Sequence, residues 1–133
     1  MLQVTPQAGQ KFSADLIVIT EDALEKSPLQ ISELSLPEKS LLYDSPEIQS
    51  NHPLIQSLAR EIITIKKDAW QAAQGINAWV FRNMEKVLVD SFSALDALRE
   101  RRGECQSHTN LFVALARAGG IPAKVINGLV YSR

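Results

Sequence analysis

The sequence predicts an α+β fold, and three observations predict it. Short stretches rich in β-branched residues lie near the start of the chain. Helical periodicity takes over at Pro53 and holds to Ala118. An alternating stretch from Ala123 then returns to a strand-like pattern. The 133 residues suit one domain, with a core that needs neither disulfide nor metal. The hydrophobic fraction of 45% and charged fraction of 22% place the chain among ordinary globular proteins. The net charge of -1 comes with both signs interspersed, so no basic face or tail points to nucleic acid or a charged membrane surface.

Residues 2–5 (LQVT) and 15–20 (DLIVIT) are bounded by polar residues and predict short strands. Residues 27–40 alternate apolar and polar between prolines, as an edge strand or extended connection would. We expect 1–40 to form a strand-rich or extended N-terminal segment and 41–133 to form the core. Residues 41–53 carry turn chemistry in Asp-Ser-Pro and Asn-His-Pro. The N-terminus lacks the early positive charge and apolar run of a signal peptide, and no apolar run is long enough to span a bilayer. Neither feature assigns a compartment.

Leu54, Ile55, Leu58, Ile62 and Ile65 follow helical spacing, with Pro53 suited to the first turn. Residues 68–84 form a second helix capped by Asp68, with Trp70, Ala73, Ile76 or Asn77, Val80 and Met84 along one stripe. Trp79 lies off that stripe. Gly75 costs this helix about 1 kcal/mol relative to Ala, which close packing would explain. Ser93 and Asp96 are spaced as a capping-box variant ahead of Leu95 and Leu98. Gly103 is expected to break that helix. Cys105–Ala118 forms the next, with His108, Leu111, Phe112 and Leu115 on one face. Gly119-Gly120 ends it and Pro122 prevents its continuation.

Cys105 is the one cysteine and cannot form an intrachain disulfide. It falls in the first turn of a predicted helix, where unpaired N–H groups and the helix dipole favour an anion. Thiolate is the reactive form of cysteine, and the same N–H groups suit an oxyanion. Free cysteine is also among the most buried residue types, packing as a small hydrophobe. The residue pattern by itself leaves both readings open. Cys105 with His108 falls short of the three or four ligands zinc takes, so no metal or cofactor is expected. His108 shares a helical face with Cys105, but neighbours one turn apart on a rigid helix rarely reach around a substrate as a base must. His52, in a turn, reads as exposed and incidental.

The stretch from Gly103 to Gly128 resembles the nucleophile region of the transglutaminase-like superfamily, relatives of the papain-like cysteine proteases. The matching residues are Gly103, Cys105, Leu111, Phe112, Leu115, Arg117, Ala118, Gly120, Ile121, Pro122, Ala123 and Gly128. The helix carrying residues 76–84 (INAWVFRNM) and the approach through residues 93–105 are similar as well, so the resemblance covers roughly residues 41–133. Lys124 stands where the family usually has Arg, keeping charge but losing the planar fork. The resemblance implies a papain-like, transglutaminase-like core, a helical lobe whose nucleophile helix packs on an antiparallel sheet. It implies that Cys105 is the catalytic nucleophile, with Gly103, Glu104, Gln106 and His108 around the thiol and its oxyanion region. The implied chemistry is thiol-dependent acyl transfer on a protein or peptide substrate, with hydrolysis expected over cross-linking. The family's histidine and aspartate would fall beyond Arg133. On that reading the chain is an inactive fragment with an incomplete sheet, whose open edge invites self-association. The competing reading is a non-catalytic module that keeps the fold to bind protein or peptide.

Overall fold

The computed structural model describes residues 10–13, 16–19, 39–64, 68–89 and 93–128. The expected strand at 2–5, the stretch at 27–38, Ile65 and residues 129–133 lie outside them. Near the start of the chain, β1 (Gln10–Ser13) and β2 (Leu16–Ile19) form an antiparallel hairpin, with Gln10 opposite Ile19 and Ser13 opposite Leu16. The strand expected at 15–20 is present as β2. Its partner at 10–13, which the sequence pattern does not single out, supplies the pairing.

Four helices build the core. The first, α1 (Pro53–Ile63), starts with proline at its first position, where the missing N–H costs nothing. The second, α2 (Ala69–Asn83), is capped by Asp68, whose Oδ1 accepts from the Gln71 N–H at 2.8 Å. The short α3 (Ala94–Glu100) is capped by Ser93, whose Oγ accepts from the Asp96 N–H and donates to the Asp96 carboxylate. The fourth, α4 (Cys105–Ala118), packs against all three others.

Ile55 and Ala59 of α1, Ile76 and Val80 of α2, Ala94, Ala97 and Leu98 of α3, and Leu111, Ala114 and Leu115 of α4 meet in one cluster. The stripe on α2 differs from the expected one. Its buried row is Ala72, Ile76 and Val80, running on to Met84, while Trp70 is 59% exposed. At about 100° per residue, Trp70 stands some ~100° from the centre of that buried arc, in the first turn. Trp79, on the arc's other flank, packs against the core.

Two short strands connect the helices to the start of α4. Following α2, β3 (Glu85–Lys86) pairs in parallel with β4 (Arg102–Gly103), Glu85 opposite Arg102 and Lys86 opposite Gly103. The Glu85 N–H donates to the Arg101 carbonyl at 2.8 Å and the Val87 N–H to the Gly103 carbonyl at 3.1 Å. Gly103 thus lies in a strand and does not end α3. The residue that turns the chain is Arg101, in the left-handed region at φ 56°.

The end of α4 follows its sequence. The Gly120 N–H bonds the Arg117 carbonyl and the Ile121 N–H the Ala116 carbonyl, with Gly120 at φ 79°. Beyond it, the expected strand does not form within the described residues. Residues 121–128 carry no strand pairing: the Ala123 N–H reaches the Leu41 carbonyl at 3.5 Å, but no ladder continues from it, and Ile126 is 78% exposed.

The turns of residues 41–52 close the core from outside. Asp44 Oδ1 accepts from the Ser50 hydroxyl at 2.6 Å and the Asn51 N–H at 2.8 Å. Arg117 fastens this segment to the end of the chain. Its guanidinium donates to the Ala123 carbonyl at 2.9 Å and also to the Tyr43 carbonyl.

Candidate active site

Cys105 is the first residue of α4, and its thiol is exposed. The buried-hydrophobe reading of this cysteine therefore does not describe its position. Two elements place it. Pairing of β4 with β3 fixes residues 102–103, and the buried body of α4 fixes the helix that follows.

Gly103 and Ser107 make the junction close. Gly103 is buried, and a Cβ on it would stand 2.3 Å from the Ser107 Cβ, well inside contact distance. Ser107 is itself fully buried. Here the glycine is required by space, so that the strand can lie directly on the first turn of the helix.

The first turn of α4 differs from those of its neighbours. In α1 the Leu54 N–H is bonded by His52 Nδ1, and in α2 the Gln71 N–H by Asp68. In α3 three N–H groups in succession are bonded, Ala94 by the Glu47 carbonyl, Leu95 by Gln49 Oε1 and Asp96 by Ser93. At α4 the N-cap is Glu104, in extended conformation, and its side chain makes no cap bond. The amides of Cys105 and Gln106 therefore open beside an exposed thiol without a side-chain acceptor from the cap. Such amides offer hydrogen bonds to an anion, with the helix dipole adding to them. Gln106 is exposed and Glu104 half-buried at the rim.

His108 is half-buried, one turn along. Its Nδ1 lies 2.8 Å from the Glu104 carbonyl oxygen. A carbonyl only accepts, so Nδ1 carries the proton and the ring is held against its own helix. Among the described residues no hydrogen bond joins His108 to the Cys105 thiol. His52 caps α1 through its own Nδ1. This places it outside the site, with a structural duty that its position in a turn did not signal.

Arg101 is the C-cap of α3. Its guanidinium lies over the Trp79 ring, 4.4 Å from the centroid. A non-glycine residue in the left-handed region costs about 1–2 kcal/mol, and an exposed cation–π contact returns about 0.5–1 kcal/mol. No sequence spacing links these two residues, since the chain folds through β3 and α3 between them. Arg102 pairs with Glu100 at 3.4 Å on the surface, an interaction of little consequence. Among the described residues, no three His, Cys, Asp or Glu side chains gather as a metal site requires.

Comparison with known proteins follows this geometry. A family model described as the transglutaminase-like superfamily matches residues 56–133, more than half of the chain and all of α2, α3 and α4. Among solved structures, the chain is similar to that of a "putative cysteine protease" from Cytophaga hutchinsonii, with 27% identity and a TM-score of 0.63. The similarity covers 71% of this chain and 33% of that one, so the chain spans about a third of that protein's length. No curated protein matches the sequence.

Proposed function

The chain belongs to the transglutaminase-like superfamily, and on that premise we propose that Cys105 is the nucleophile of a thiol-dependent acyl transfer on peptide or carboxamide bonds. The observation that carries this reading is an exposed cysteine as the first residue of a helix whose N-cap, Glu104, makes no side-chain cap bond. The thiolate attacks the substrate carbonyl carbon and forms the S–C bond. The carbonyl oxygen takes up negative charge beside the Cys105 and Gln106 amides. The C–N bond then breaks, and the amine leaves with a proton from an imidazolium, giving a thioester. Water attacks the thioester, and the acid departs as the thiol is restored. Hydrolysis is favoured over transfer to an amine by the similarity to a structure described as a cysteine protease.

The imidazole of this scheme is not His108, whose Nδ1 proton is committed to the Glu104 carbonyl, nor His52, which caps α1. On this reading the base is neither of the two histidines in the sequence. Without that imidazolium the leaving amine has no proton donor, so these 133 residues by themselves are expected to be alkylated at Cys105 but not to turn over an amide. The same two commitments favour the second reading, a module that retains the fold to bind peptide.

The test is intact-protein mass spectrometry with a peptidyl vinyl sulfone, beside a fluorogenic peptide assay. A single adduct on Cys105 without turnover is expected for the chain. Longer protein carrying the following segment should then show turnover that Cys105→Ala abolishes. Turnover by the 133-residue chain itself, lost in Cys105→Ala, would overturn the assignment of the base. Failure of the longer protein to turn over would favour the binding module.

A further inference from the structure

We propose that Arg101 is a positioning residue for the nucleophile: its guanidinium, stacked on Trp79, holds the left-handed turn from which β4 and the Cys105 helix start. The inference rests on the reading of Cys105 as nucleophile and goes beyond it by assigning a role to residues outside the thiol's own helix. Three elements meet at residue 101. Its N–H bonds the Ala97 carbonyl, closing α3. Its carbonyl accepts from the Glu85 N–H, beginning the β3–β4 pair. Its side chain reaches α2, where Trp79 packs against the core.

Glycine or asparagine usually fills a left-handed position at a helix end, because either adopts it with little penalty. Among the described residues Arg101 is the only non-glycine residue with positive φ. The backbone therefore has no need of arginine here, and what the arginine adds is the stack. Strained positions of this kind persist where the surroundings over-determine them, and they gather at functional sites. The turn stands two residues ahead of Gly103 and four ahead of Cys105: any rocking of Arg101 moves the strand that seats on Ser107, and with it the thiol and the first amides of α4.

The experiment compares Arg101→Asn, which keeps the left-handed turn but loses the stack, with Trp79→Leu, which leaves the turn residue intact. Arg101→Lys serves as the conservative rescue. Two readouts are taken on the 133-residue chain: amide exchange at Glu85 and Val87 relative to Leu115, and the rate of Cys105 modification by a peptidyl vinyl sulfone relative to iodoacetamide. Arg101→Asn and Trp79→Leu should each raise the relative exchange roughly two- to fivefold, the range an exposed cation–π contact supports. Both should lower the rate ratio by a similar factor, with Arg101→Lys intermediate. Global unfolding also erases the preference for the peptidyl reagent, but it raises exchange at Leu115 in step with Glu85 and Val87, whereas loss of the turn does not. Unchanged relative exchange in both variants, or exchange rising in step with Leu115, would overturn the proposal. If the wild-type chain shows no preference for the peptidyl reagent, the nucleophile reading fails, and the exchange measurement still decides whether the stack holds the turn.

Discussion

Ser107 occupies the space that a side chain on residue 103 would need, its Cβ and Oγ lying 2.3 and 2.7 Å from where a Cβ on Gly103 would stand. Gly103→Ala therefore drives the strand off the helix. We expect a loss of about 1–3 kcal/mol in urea unfolding, the usual cost of overpacking. The double variant Gly103→Ala/Ser107→Gly should recover part of it, since the two residues share one contact. Equal stability of Gly103→Ala and wild type would contradict the contact.

The thiol is exposed, so its chemistry and the stability of the fold should separate. Cys105→Ser should unfold within about 0.5 kcal/mol of wild type, as surface substitutions do. The same variant should lose all labelling by iodoacetamide. In wild type, labelling should proceed in the native state, at a rate that low urea leaves unchanged. Labelling that tracks unfolding would show the thiol to be covered.

Arg117 binds two carbonyls from opposite ends of the core segment, those of Tyr43 and Ala123. Arg117→Met should cost about 1–3 kcal/mol, because two acceptors lose a charged donor. Arg117→Lys should fall nearer to Arg117→Met than to wild type, since one ammonium does not span both carbonyls as the planar fork does. Full rescue by lysine would mean that charge alone matters there.

His108 donates to the Glu104 carbonyl, so it steadies the N-cap of α4. In any form of the protein that turns over substrate, His108→Gln should lower kcat/KM by less than about tenfold. A general base contributes about 10²- to 10⁴-fold. A loss in that range, with a flattened pH profile, would make His108 the base.

Local chemistry made several elements readable in advance. Asp68 and Ser93 are short acceptors that bond nearby amides, and both cap the helices assigned to them. Gly120 takes the left-handed position that ends α4. Cys105–Ala118 has the bounds its punctuation implied. The misses all depend on partners distant in sequence. Trp70 fits a helical stripe, but no element covers the first turn of α2. Residues 124–128 alternate as a strand does, yet a strand exists only beside another. His52 caps α1 with a ring nitrogen, outside the usual set of serine, threonine, aspartate and asparagine. At the site, the proposed nucleophile, Cys105, drew notice because a helix start and a motif coincide. The Arg101–Trp79 stack did not, because twenty-one intervening residues carry no trace of it.

The helix that presents Cys105 is also the one on which α1, α2 and α3 all pack. Assembly of the core and assembly of the thiol's setting are therefore a single event. A precursor held silent by leaving this helix unformed would be an unfolded protein, exposed to proteolysis. Control of such a site must act on what reaches the thiol, through occlusion of its approach or delivery of its partner groups. The Cys105 thiol itself is exposed as soon as the chain has folded.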